Sequence, residues 1–132
     1  MTNREIYDTA LALLGEVDEE LCRDYEQRTP YLLGAFIGEC SELGGFYRAA
    51  RGEADGEVSL GGVELDAEFP LPERFSVAAA AYVAALLVEA ENEALSDRLF
   101  ARYADELSRI SQASLSGQRV SIRDAYAASA WD

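Results

Sequence analysis

Histidine and lysine are absent from the 132 residues, and with them goes most familiar catalytic chemistry. Without an imidazole there is no Ser-His-Asp or Cys-His pair and no histidine metal ligand. Without an ε-amino group there is no Schiff-base lysine and no P-loop lysine. Cysteine is scarce: Cys22 and Cys40 stand in apolar helical patterns, not in a CxxC or metal spacing. They read as buried thiols of a reducing compartment in preference to a disulfide. No apolar run reaches the roughly eighteen residues that span a bilayer. The opening "MTNREIYDTA" is polar and mixed in charge, unlike a secretory signal.

Basic charge is scarce as well. There are 25 acidic residues against 11 basic ones, all arginine, for a net charge of -14. Beyond Ile110 only Arg119, Arg123, Asp124 and Asp132 are charged, and they cancel, so the whole excess lies in residues 1–110. Such a surface repels phosphate and anionic lipid, which argues against sequence-specific nucleic-acid binding and against a membrane surface.

What is present is helical. At 49% hydrophobic residues the chain can bury a core, and its length suits one domain. Thr2, with Glu5 three places on, has the capping-box spacing. Ile6, Ala10, Leu13 and Leu14 follow at helical intervals, and Gly15 is a natural stop. A second helix begins near Asp18, with Leu21, Cys22 and Tyr25 on one face. Thr29-Pro30 has the form of an N-cap and a first-turn proline, so a third helix is expected there, striped by Leu33, Phe36, Ile37 and Cys40. "EVSL-GG-VELD" has the alternation and two-glycine turn of a β-hairpin, expected over about 56–67. "RFSVAAAAYVAALLVEAENEALSDRLFARYADEL" reads as an αα-hairpin in which Ser96 caps the second helix.

In the first of these two helices Phe75, Ala79, Tyr82, Val83, Leu86 and Leu87 form the core stripe. Helical geometry puts some of the remaining alanines on the far side. That small-residue face, including Ala81 and Ala84, can be approached by another helix of the same chain or by a second copy. The final stretch, residues 114–132, is rich in Ser and Ala and nearly neutral. "QRVSIR" alternates weakly like a strand, and Tyr126 and Trp131 are too apolar for a purely solvated tail. The expected fold is therefore mainly α: a bundle of about five helices in one domain (1–113), a β-hairpin insert and an extended C-terminal arm (114–132).

No catalytic constellation, metal site or cofactor site emerges. The acidic blocks at 16–20, 39–42 and 89–93 read as solvated helix faces, since a di-metal carboxylate site would need the missing histidines. Ser41, Ser76 and Ser96 have no base beside them. The glycines at 34, 38, 44 and 45 do not form a phosphate loop.

The order "IYDTALALLGE", "DYEQRTPYLLGAFIGEC", a β insert, "FPLPERF" and "YVAALLVEAENEALSDRLFARYADELSRI" resembles phage head–tail connector proteins, over residues 4–112. The resemblance implies a non-enzymatic adaptor that assembles as a ring, commonly of about twelve copies, beneath a portal protein. It would extend the DNA channel and offer a docking surface to a neck or tail protein. It implies a homo-oligomer that forms a ring on assembly, with its state in isolation, monomer or not, left open, found in the host cytoplasm during assembly and then in the virion neck. Mapped onto this chain, the candidate contacts are Val58, Leu60, Val63 and Leu65 in the insert, Ala81 and Ala84 in the alanine helix, and Val120, Ile122, Tyr126 and Trp131 in the arm. The competing reading is an acidic regulator or inhibitor that binds a basic partner or mimics nucleic acid.

Overall fold

The computed structural model describes the backbone of residues 1–50 and 62–130 and the side chains of residues 1–41 and 62–113. Helix α1 is Asn3–Leu14 and α2 is Glu19–Ala50. A 3-10 turn at Glu73–Phe75 leads into α3, Ser76–Val88, and α4 is Glu93–Ala130. Among the described residues the protein is helical, with four α-helices and no strand.

The ends of α1 follow their sequence signals. Thr2 accepts the Glu5 N–H on its hydroxyl, and Gly15 ends the helix with φ at +82°, where a side chain is strained. Two further N–H groups at the start of α1 are satisfied from far along the chain. Asn3 donates to the carbonyl of Ala67 and Arg4 to that of Leu65.

α2 differs from the expectation. Asp18 caps it, accepting the Leu21 N–H at 2.9 Å, but Thr29-Pro30 starts no new helix. The Thr29 hydroxyl, fully buried, turns inward and donates to the Tyr25 carbonyl at 2.6 Å. The physical reason is packing. Tyr25, Thr29, Leu33, Phe36, Ile37 and Cys40 are all buried in one stripe that crosses the proline without a change of phase. That continuous stripe outweighs the one helical hydrogen bond that Pro30, lacking an N–H, cannot make. Among the described residues, four helices therefore stand where five were expected.

α3 is the central element, packed against α1, α2 and α4. Ala78, Ala79, Ala80, Ala81, Ala84 and Ala85 are each 0% exposed. An apolar helix covered on nearly all sides belongs at a centre, and methyl-sized side chains let neighbouring backbones come close. This corrects the expectation for Ala81 and Ala84, which are enclosed within their own chain and offer nothing to a second copy.

α1 and α2 form one antiparallel pair, tied by the Tyr7 hydroxyl donating to the Cys22 carbonyl. α3 and α4 form the other, tied by Ser96 donating to the Ala85 carbonyl at 2.8 Å. Ser96 is thus not the cap of α4; Asn92 is, accepting the Leu95 N–H. The carbonyls that end α3 are all the better covered: Arg28 donates to Leu86, and the Glu91 and Asn92 N–H groups to Val88. The loops 15–18 and 89–92 meet at one end, where the Tyr25 hydroxyl donates to Glu91.

The segment after Gly62 pairs with no second strand among the described residues. Val63 donates to the Pro30 carbonyl, the chain turns at Leu65 and Asp66, and Glu68 forms an isolated bridge with Thr2. Val63 and Leu65, half-buried, pack on the helical core. The expected partner arm with Val58 and Leu60 lies outside the described residues. The expected extended C-terminal arm is also corrected, since the backbone of α4 stays helical to Ala130.

Candidate functional site

The nucleophile-bearing residues are occupied with structure. Cys40 is buried, and burial pushes its thiol up to about 12, so it stays protonated at neutral pH. The hydroxyls of Ser41 and Ser96 donate to the carbonyls of Gly38 and Ala85. Both cysteines are free thiols. No group of three or more acidic or thiol side chains able to hold a metal ion occurs among the described residues. No helix there is long and apolar enough to cross a membrane.

Three surface features remain. The first is an aromatic cluster between α2, α3 and α4. Phe36, Tyr82 and Tyr103 lie with ring centroids 5.2–6.1 Å apart in tilted and edge-on contact. Burial, with the nearby Cys40 and Glu39, pushes the Tyr103 hydroxyl up to about 12. These rings close the groove between the long helices and read as packing. The second is a shallow, open depression of about 750 Å³ beside Tyr31, lined by Arg4, Gln27 and residues 62–66. Tyr31 is 70% exposed, while Arg4 is engaged by Asp66 at 2.8 Å and Glu26 at 3.4 Å.

The third is a cleft of about 220 Å³ at the end where the two short loops meet. Leu14, Val17, Leu21, Val88 and Leu95 form its walls; Glu16, Asp18 and Glu91 edge it. At its floor the buried Tyr25 hydroxyl is held by Glu91 at 3.2 Å. Burial and the Glu91 charge push that hydroxyl up to about 12. Glu19, Glu20, Glu89 and Glu93 lie next to these edge residues along the same two segments, all exposed. Among the described residues none of these seven carboxylates is in an ion pair, whereas Arg4, Arg28 and Arg109 are paired elsewhere.

The sequence-derived contact residues do not converge on a site. Val63 is bonded to Pro30 on α2, Leu65 meets the start of α1, and Ala81 and Ala84 are internal. Val120, Ile122 and Tyr126 fall on the distal backbone of α4, and Val58, Leu60 and Trp131 lie outside the described residues. The acidic cleft was not anticipated. Its signal was present, as two acidic blocks that each follow a helix stop, but nothing local says that they meet.

No family model, no curated protein and no solved structure matches the chain.

Proposed function

We propose that the protein is a structural connector of the phage head–tail type, assembling as a ring beneath a portal protein and presenting a surface to a neck or tail protein. The observation that carries this reading is a mismatch of helix lengths. α3, at the centre of the core, is about 20 Å long, whereas α2 is about 48 Å and α4 about 57 Å. Among the described residues, the core side chains that α4 packs around α3 run from Leu95 to Ile110. The backbone of α4 continues to Ala130, and a helix so much longer than the one at the centre of the core is suited to packing against another chain. Val120, Ile122 and Tyr126 are the candidate contacts on that extension; Val58, Leu60 and Trp131 are further contact candidates. The excess of negative charge suits a channel part past which DNA slides without adhering.

Electron microscopy of the full chain mixed with a portal protein is the test. Rings seated on the portal are expected, together with their loss on deletion of residues 114–132. A chain that stays monomeric and ignores the portal would overturn the reading. A second reading, an acidic regulator of a basic partner, is favoured by the unpaired carboxylates around the cleft. It predicts a monomer or dimer whose affinity for its partner falls steeply with salt.

A further inference from the structure

The acidic cleft between the 15–18 and 89–92 loops has a charge arrangement that folding alone does not favour. Glu16 follows the C-terminus of α1, and Glu89 and Glu91 follow that of α3. Helix C-termini carry partial negative charge and favour cations, so these three positions are locally wrong for an acid. Glu19, Glu20 and Glu93, by contrast, sit in first turns where the dipole welcomes them. With no arginine among the described residues paired to any of the seven carboxylates, this end of the bundle holds concentrated negative charge.

Beneath that charge lies an apolar slot, which selects among cations. The carboxylates at its edge do not form a group able to hold a metal ion among the described residues, and the leucine and valine walls add no oxygen ligand. They do suit a long aliphatic stem that carries its charge at the tip. We propose that this cleft receives an arginine or lysine side chain from a partner protein. The stem lies on Leu14, Val17, Leu21, Val88 and Leu95, and the cation meets Glu16, Asp18 and Glu91. The cleft is fully formed within one chain, so this docking does not depend on ring assembly.

The test is methyl NMR of the full chain titrated with a pentapeptide, acetylated and amidated, that carries arginine between alanines. Its control is the same peptide with neutral citrulline in place of arginine. Saturable shifts are expected at the five wall residues, with the arginine peptide bound about fivefold more tightly than its control. The double variant Glu16→Gln, Glu91→Gln, which leaves the Asp18 cap intact and both exposed sites uncharged, should lose about that same factor. Equal affinity for the two peptides would overturn the proposal, as would shifts spread over the acidic surface without saturation. Identical wall shifts on adding calcium chloride alone would also overturn it, showing an ion site instead. Failure of this docking leaves the imaging of rings untouched, and failure of the rings leaves the cleft untouched.

Discussion

Ser96 shows how much one hydroxyl decides. It is 1% exposed and donates to the carbonyl of Ala85, tying the start of α4 to the last turn of α3. Ser96→Ala removes that inter-helix hydrogen bond and should cost about 0.5–1.5 kcal/mol, read as a lower urea midpoint with an unchanged slope. An unchanged midpoint would mean that water replaces the hydroxyl. The buried phenols and the thiol supply a second prediction. Tyr25 and Tyr103 are raised from 10.0 to about 12, and Cys40 from 9.0 to about 12, each chiefly by burial. The unfolded chain therefore releases these protons at lower pH than the folded one. Stability should be complete below about pH 9 and fall as the pH rises from there towards 12. Circular dichroism and tyrosinate absorbance followed together check this. Tyrosinate from Tyr25 and Tyr103 should form only as helicity is lost; full ionisation near pH 10 with helicity intact would contradict it.

At the scale of elements, α3 carries the fold. Its alanines have no free side, so their smallness serves contacts inside the chain. Ala81→Glu and Ala84→Glu each bury an unpaired carboxylate among closely packed helices. Both variants should unfold at neutral pH, seen as lost helicity in a soluble or aggregated product. A folded variant defective only in assembly would restore the open alanine face. α2 teaches a related lesson about local signals. Thr29-Pro30 has the chemistry of a helix start, yet the buried stripe from Tyr25 to Cys40 keeps one phase across it. That stripe was legible in the sequence; the pair of residues at its middle outweighed it. Ser96 misled in the same way, because a serine before an apolar run looks like a cap whether or not Asn92 has already taken that place.

For the whole molecule, the balance of charge governs how stability responds to solvent. A net charge of -14 is spread over a small bundle whose described ion pairs are few and largely exposed. Self-repulsion should outweigh those pairs. Raising salt from about 0.01 M to 1 M shortens the screening length from about 30 Å to 3 Å and should raise the thermal midpoint. A midpoint that fell with salt would show that the surface ion pairs dominate. The same excess explains why the acidic cleft escaped a linear reading. Residues 16–20 and 89–93 look like two solvated helix faces until the Tyr25–Glu91 contact brings their loops to one end.

The sequence by itself determined the helical class, the capped start of α1, its glycine stop and the absence of imidazole and amine chemistry. Each of these follows from composition, or from interactions between residues three or four apart, which need no knowledge of distant partners. Tertiary structure decided the rest: that α2 runs through Pro30, that the alanines of α3 are enclosed by their own chain, and that the segment after Gly62 caps α1. It also brought two acidic blocks around one apolar slot. Those outcomes depend on which faces meet across the bundle, and burial there outweighs the local preference of any single residue.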